Sequence, residues 1–540
     1  MDEEKNVQFA EKELGLDENR EVALDLVDSV ESSEEYAKER AAVSSAYEIK
    51  SRLINECFQD ELGFGRYQWG VFMLTGLGWM ADNIWFQAVA IILPQVQVEL
   101  PVSHVEYATL SLYAGLIVGA STWGILADVV GRRLSFNITL FIAGVFGIAA
   151  GGAGTFTQLG ALIACIGFGV GGNLPVDGAI FLEVIPKSYQ WLLTLLSIWW
   201  ALGQLFASLI AWPLINNFSC ASDADSCLKA DNMGWRYTVY ICGGITFLMF
   251  VARFFLFNLQ ESPKFLVAKG RDEEAIKVLE YIAARNGRTI TLTLEKLEAA
   301  GGVSDQPRDL SSLQLARHSF SSLSLGHIKP LFATRTLALN TSLTIALWGL
   351  IGLASPLFNG FITLYLKART SGSDSINETY RNYSIISVLG IPGSIIACIV
   401  VDRTRRSQSG FVLGGRKFSM AVFTALTGVF LFLFTTATNQ AGVLGYNCAS
   451  TLTTNAMFGV LYAYTPEVFP APHRGTGDGL ASSTNRILGI LAPVIKIATT
   501  RGATTAANTN VPVFVSASLF LGASILMLLL PIETAGKAAL

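Results

Sequence analysis

The sequence predicts an all-α integral membrane protein, with twelve transmembrane helices in two pseudo-symmetric six-helix bundles and short cytosolic helices between the bundles. Three observations carry this. Of 540 residues, 51% are hydrophobic and 11% aromatic while 15% are charged, against about 25% charged residues in soluble domains. Apolar stretches of roughly 20 residues, long enough for a hydrocarbon core about 30 Å thick, recur about twelve times. A charged turn between two of them, Gly124-Ile-Leu-Ala-Asp128-Val-Val-Gly131-Arg132-Arg133, returns more loosely as Gly393-Ser-Ile-Ile-Ala-Cys-Ile-Val-Val-Asp402-Arg403, followed by Gly414-Gly-Arg416-Lys417. One copy in each half marks a duplicated bundle, because repeats of solenoid size are absent.

Residues 1–66 form an acidic tail. Up to Arg66 there are 18 acidic and 8 basic residues, whereas the remainder carries 24 acidic and 30 basic, so the formal charge of −4 hides a mildly basic membrane part. The tail is too charged to fold until about residue 45, where Ile49, Leu53, Ile54 and Phe58 suggest a short amphipathic helix. The start Met1-Asp-Glu-Glu and the late, long first apolar run do not read as a cleavable signal peptide.

The first bundle is expected over 67–257, with spans near 68–93, 106–127, 134–153, 158–182, 191–215 and 235–257. A polar linker at 258–336 follows. Within it Ile276, Leu279 and Ile282 share one face of a helix with an acidic start at Asp272, and a second short helix starts at Thr293, an N-cap residue type. The second bundle is expected over 337–532, with spans near 337–366, 382–401, 418–436, 441–463, 479–498 and 511–531, leaving a short tail at 533–540.

Loops rich in Lys and Arg alternate with loops poor in them. Arg132, Arg133, Lys187, Arg403, Arg405, Arg406, Arg416, Lys417 and Arg474 lie in the first set, which places those loops and both termini in the cytosol. The loop 216–234 then faces outside with the sequon Asn217-Phe-Ser219 and with Cys220 and Cys227, which form either a disulfide or two free thiols. Asn377-Glu-Thr379 is a second glycosylation candidate. The sequons at Asn137, Asn340 and Asn382 sit at membrane edges and are poorer ones.

From about Ile49 to Lys537 an ordered series of short stretches resembles the major facilitator superfamily, and within it the sugar-porter-like, synaptic-vesicle-protein-related branch. The series is Gly63-Phe-Gly-Arg66-Tyr-Gln-Trp; Gly124 to Arg133; Gly167-Phe-Gly-Val-Gly-Gly172 through Pro175-Val-Asp177 to Glu183; Gly234-Trp-Arg236-Tyr; Glu261-Ser-Pro263-Lys; Tyr464-Thr-Pro-Glu467-Val-Phe-Pro; Arg474-Gly-Thr-Gly-Asp-Gly-Leu-Ala; and Pro531-Ile-Glu533-Thr. The resemblance implies two rocking bundles, alternating access to a central cavity, and a solute moved with or against protons. It also implies a cytoplasmic gate built from Gly124, Asp128, Gly131, Arg132, Arg133, Glu183, Asp402, Arg403, Glu467 and Arg474. A plain positive-inside turn would explain the arginines but not Asp128 or the glycines.

Ionisable groups inside a membrane are costly and default to function. Asp82, in Gly78-Trp-Met-Ala-Asp82-Asn83-Ile-Trp85, must either find a partner or stay protonated, and is the proton-coupling candidate. In sugar porters a similarly placed acid pairs with a span-4 arginine, but that place is held here by Ile163. Three substitutes are open: a proton shared with Asp177, an amide such as Asn173, or Arg486 across the cavity. Arg486 lies in mid-span, too deep to reach water comfortably, and suggests either an anionic ligand group or an intrabundle partner. Asp177 and Asn173 serve either the cavity or helix packing.

Further cavity candidates are Asn83, Gln87, Gln204, Asn447, Thr451, Asn455, Asn485 and Asn359, the last in the broken run Ser355-Pro356-Leu-Phe-Asn359-Gly360. Trp79, Trp85, Trp199, Trp200 and Trp348 offer rings for stacking, although tryptophan in a span more often packs or faces lipid.

Catalysis has no support, since the four histidines lack metal-ligand spacing and no nucleotide-binding or nucleophile signature occurs. No metal or other cofactor is expected, and the scattered basic residues give no nucleic-acid surface. The expected function is secondary active transport of a small polar organic solute, possibly sugar-like or a carboxylate, by proton symport. Its partners are that solute, protons and the lipid bilayer, and the chain is expected to be a monomer in the plasma membrane. A transporter-like sensor without net transport, or a proton antiporter exporting a metabolite, is the alternative; the short stretch after Pro531 leaves little room for a sensor's signalling extension.

Overall fold

The computed structural model describes residues 45–100, 102–129, 132–189, 191–220, 227–255, 257, 259–268, 270–301, 328–368, 375–401, 404–406, 412–469, 474–500 and 506–534. The expected unfolded tail, Gly131, Asp402 and Arg403 lie outside this set. Gly124, Asp128, Arg132, Arg133 and Arg474 fall within described helices, but their side chains lie outside it too.

The first half contains α1 (Ser45–Glu56), α2 (Arg66–Glu99), α3 (Tyr107–Val129), α4 (Arg132–Gly151), α5 (Phe156–Val170), α6 (Asn173–Val184), α7 (Trp191–Leu195), α8 (Ser197–Asn217) and α9 (Gly234–Phe255). The linker holds α10 (Pro263–Ala268), α11 (Asp272–Asn286) and α12 (Leu294–Gly301). The second half contains α13 (Arg335–Asn359), α14 (Ile362–Lys367), α15 (Ser375–Val388), α16 (Gly390–Val401), α17 (Gly415–Thr436), α18 (Gln440–Val468), α19 (Arg474–Gly489), α20 (Leu491–Thr500) and α21 (Ala506–Leu528).

Among the described residues, seven helical stretches are individually long and apolar enough to cross a membrane. Taking α5–α6, α7–α8, α13–α14, α15–α16 and α19–α20 each as one broken span completes the set of twelve. The two halves repeat one packing scheme: α4 against α9, α3 against α5 and α2 against α8 in the first, and α17 against α21, α16 against α18 and α13 against α19 in the second. Leu248, Phe255 and Ile525 remain 65%, 72% and 61% exposed on the outer faces, as side chains solvated by lipid would be.

Local chemistry sets the helix ends. Thr155, Thr334 and Asn439 accept hydrogen bonds from the amides of Gln158, Leu337 and Gly442 at 3.2, 3.1 and 2.7 Å, as N-caps. Helix α11 opens on Asp272, Glu273 and Glu274 and closes on Gly287 with φ +68°. Close approach explains the glycines of α3 and α5: a Cβ on Gly115 would lie 2.0 Å from the Ala164 carbonyl oxygen, and one on Gly167 would lie 2.3 Å from that of Leu112.

Two elements differ from expectation. Helix α15 begins seven residues before the expected 382, because Tyr380 and Tyr383 in its polar first turns are buried against the other bundle. A two-stranded antiparallel ladder, β1 (Thr404–Arg406) with β2 (Val412–Gly414), occupies the charged turn before α17; three residues per strand are too few for alternation to show.

The amphipathic helix and the linker form a clamp on the start of α2. Ile54 and Phe58 are buried while Ile49 is exposed. Lys50 Nζ meets Asp272 Oδ2 at 2.5 Å in a buried ion pair. Asn286 accepts from the Tyr67 amide at 3.0 Å and donates to Gln68 Oε1 at 2.9 Å, and Gln68 donates to the Val184 carbonyl at 3.3 Å. Burial, reinforced by the neighbouring Glu61 carboxylate, pushes the Cys57 thiol up to about 12, so Cys57 packs as a neutral side chain. Cys220 and Cys227 are joined in a disulfide with their Cα atoms 6.0 Å apart.

Removing Lys50 strands a buried carboxylate, at a cost of about 3–5 kcal/mol. Lys50→Ala is therefore expected to release α1 and expose residues 45–62 to limited proteolysis in purified protein.

Candidate functional site

Helix α2 runs the length of the first bundle, and successive residues on it face different neighbours. Asp82 points into the first bundle and is 1% exposed. Its Oδ1 accepts a hydrogen bond from Asn173 Nδ2 at 2.8 Å. One turn beyond Asn173 on α6, Asp177 Oδ2 meets Arg253 Nη2 at 2.9 Å, with both side chains fully buried.

Arg253 is thoroughly satisfied. Its Nε donates to the Leu74 carbonyl at 3.0 Å, its Nη1 donates to the Phe136 carbonyl at 2.9 Å, and its guanidinium lies 3.6 Å from the Phe136 ring centroid. The pair fits because Gly78 has no side chain: a Cβ there would fall 1.8 Å from Asp177 Oδ2 and 2.2 Å from Arg253 Nη2. Ile163 is buried in an apolar pocket with Trp85, Ile92, Leu159 and Ile166. The guanidinium inside this bundle thus comes from α9. Sequence reasoning passed over Arg253 because it falls near the end of the expected sixth span, where arginines commonly reach water.

Asn83, one position after Asp82, faces a central cavity of about 100 Å³ between the bundles. Asn83, Gln87, Gln204, Asn359, Thr451, Asn455, Asn485 and Arg486 all line it. Asn173 and Asp177 sit within the first bundle instead. Asn447, one turn before Thr451 on the same face of α18, lies outside the cavity lining and is fully buried with its Nδ2 turned back to the Val443 carbonyl at 3.0 Å.

Most of the amides are already engaged. Asn83 donates to the Trp200 carbonyl at 2.6 Å, Gln87 donates to Asn83 Oδ1 at 2.9 Å, and Tyr383 of the second bundle donates to Gln87 Oε1. Asn359 donates to Ser355 Oγ at 3.3 Å, Asn455 to the Thr451 carbonyl at 3.0 Å and Asn485 to the Trp348 carbonyl at 3.1 Å.

Arg486 differs from these. It is 4% exposed, its Nη1 is buried, and its guanidinium makes no hydrogen bond or ion pair among the described residues. Around it the cavity is walled by Phe86, Tyr113, Trp200, Trp348, Phe458 and Tyr462. Tyr462 is central to this wall, with ring centroids at 4.8 Å from Trp79, 4.8 Å from Trp348 and 6.4 Å from Trp200. Of the other tryptophans, Trp85 donates to Thr246 Oγ1 at 3.1 Å inside the first bundle, and Trp199 packs on Phe72.

The bundles also meet at the end of α2 away from the clamp. Thr363 donates to the Ala90 carbonyl at 2.6 Å, Tyr380 to the Ile91 carbonyl at 3.0 Å and Trp212 to Asn377 Oδ1 at 2.8 Å. Asn377 is therefore half-buried at the bundle interface, whereas Asn217 is exposed. Asn340 is buried and accepts from Tyr464 at 3.0 Å. Of the expected gate residues, Glu467 forms a buried ion pair with Arg416, and Glu183 is half-buried at the end of α6.

Two six-helix bundles around a central polar and aromatic cavity, with buried charges on both sides of it, define a membrane carrier of solutes. The chain belongs to the Major Facilitator Superfamily, whose family model matches residues 69–493. It is 47% identical over 506 residues to the MFS siderochrome iron transporter 1 of Ceriporiopsis subvermispora, covering 93% of this chain and 94% of that protein. It is 26% identical over 507 residues to the synaptic vesicle 2-related protein of Rattus norvegicus, covering 89% and 81%. A solved structure of the proton:xylose symporter XylE bound to 6-bromo-6-deoxy-D-glucose superposes with a TM-score of 0.65 at 16% identity, over 88% of this chain and 98% of that one. The chain is thus an integral, multi-pass transport protein rather than an enzyme.

Gly78→Ala is expected to disrupt the Asp177–Arg253 pair and lower the melting temperature in detergent. Gly244→Ala, whose Cβ meets nothing within 4 Å, is the control expected to melt like the parent.

Proposed function

We propose that this transporter moves a small polar organic solute through the central cavity by proton symport, with Asp82 as the proton carrier. The observation that carries the reading is Asp82 itself, a carboxyl 1% exposed that accepts a hydrogen bond from an amide and makes no ion pair among the described residues, set one residue from Asn83 in the cavity wall. A buried carboxyl without a cation favours its neutral form, and a change in the cavity's contents or hydration shifts that balance. The halves 67–257 and 337–532 would rock as two bodies about the linker 258–336, with the Gly124–Arg133 turn and the Glu467–Arg416 pair as the gate that must open.

Positive-inside loops support cytosolic termini. The exposed Asn217 beside the disulfide supports an extracellular loop there. Asn217→Gln is expected to abolish the mobility shift produced by deglycosylation; an unchanged shift would move the glycan elsewhere.

The siderochrome in the name of the Ceriporiopsis relative supports a second reading, import of an iron chelate. The cavity of about 100 Å³ argues for something nearer one ring in size. A sensor that binds without moving solute is separated from both by proteoliposomes: binding without counterflow under any proton gradient would sink the transport reading.

With a solute identified by thermal-shift screening of a metabolite panel at two pH values, Asp82→Asn is expected to abolish proton-driven accumulation while sparing exchange. Unchanged accumulation would remove Asp82 from coupling.

A further inference from the structure

We propose that the solute is a monocarboxylate borne on a flat ring, its carboxylate paired with Arg486 and its ring held among Trp200, Trp348 and Tyr462. The inference rests on the reading of the central cavity as the transport site and narrows what that site takes.

Charge comes first. A buried guanidinium without a counter-ion is expensive, and the fork of Arg486 matches the two oxygens of a carboxylate. The other deeply buried arginines are committed: Arg253 to Asp177, Arg236 to Glu99 and Arg416 to Glu467. Asp82 makes no ion pair with Arg486 and is held by Asn173 inside the first bundle. Asp82 acts on Arg486 only at longer range, so when that carboxyl is protonated the guanidinium is left with one positive charge for a monoanion to neutralise.

The walls supply the rest. A sugar needs many donors and acceptors, and one of the two amide hydrogens of each of Asn83, Gln87, Asn359, Asn455 and Asn485 is already engaged inside the protein. Besides Arg486, the second hydrogens of those amides, and the side chains of Thr109, Gln204, Thr451 and Ser482, the cavity offers the hydroxyls of Tyr113 and Tyr462, which make no hydrogen bond among the described residues. Aromatic faces dominate what remains, and they favour an offset-stacked or edge-on ring. A volume of about 100 Å³ is of the same order as the ~150 Å³ apolar cavity that takes up benzene.

The test is calorimetry on the detergent-purified full chain with benzoate, benzamide, cyclohexanecarboxylate, acetate and xylose. Benzoate is expected to bind about tenfold or more tighter than each of the others, since benzamide lacks the charge, cyclohexanecarboxylate the flat ring, and acetate any ring. Arg486→Gln is expected to weaken benzoate by at least about tenfold with the melting temperature kept. Should that variant misfold, Arg486→Lys, which keeps the charge but loses the fork, is expected to weaken benzoate and leave benzamide unchanged. Xylose or benzamide binding as tightly as benzoate, benzoate binding indifferent to Arg486, or no benzoate binding at millimolar concentration would each overturn the proposal and leave the transport reading standing. Benzoate binding with no counterflow of 4-hydroxybenzoate above that of empty liposomes would do the reverse.

Discussion

The structure depends on one constraint: within a bilayer every charge and backbone polar group must be satisfied by the chain itself. The first bundle meets it by concentrating charge where three helices converge. Asp177 on α6, Arg253 on α9 and the missing side chain of Gly78 on α2 form one arrangement, in which the ion pair fills the space a Cβ would occupy. The carbonyls of Leu74 and Phe136 complete the guanidinium's hydrogen bonds. Breaking one member leaves the others buried and unpaired, so this cluster fixes how α2, α6 and α9 sit together. The clamp does the same outside the apolar zone, where Lys50, Asp272 and Asn286 tie the linker to the start of α2.

Two charged groups stand apart from these ion pairs. Asp82 is held by an amide and Arg486 makes no hydrogen bond or ion pair among the described residues, and they act on each other from opposite bundles. Rocking bundles change the separation and hydration of such groups most. Under the proposed symport, a proton on one of them and a carboxylate on the other would keep the interior charge constant through the cycle.

The architecture was legible in the sequence because hydropathy, span length and repeated charged turns act locally and additively. Most of the cavity-facing amides were legible as well, since polar residues in apolar runs have few other uses. What could not be read was partnership. Arg253 looked like a span-end arginine, and only the folded arrangement shows that its side chain turns inward to Asp177 beneath Gly78. Asn447 shares its polarity and its helix face with Thr451 and Asn455, yet lies one turn beyond the cavity lining; composition does not encode how far along a span the cavity extends. The early start of α15 was hidden for the same reason, since Tyr380 and Tyr383 look like loop residues until their acceptors on α2 are known.

Those acceptors have a kinetic consequence. Thr363, Tyr380, Tyr383 and Trp212 each donate a hydrogen bond across the seam between the bundles. Parting the seam without replacement would leave four orphaned donors, at about 1–3 kcal/mol each. Water is the replacement at hand, so this end of the carrier cannot open dry. Separation and wetting of the seam become a single event, and the speed of that step is governed by how readily a thread of water enters between the two helical walls.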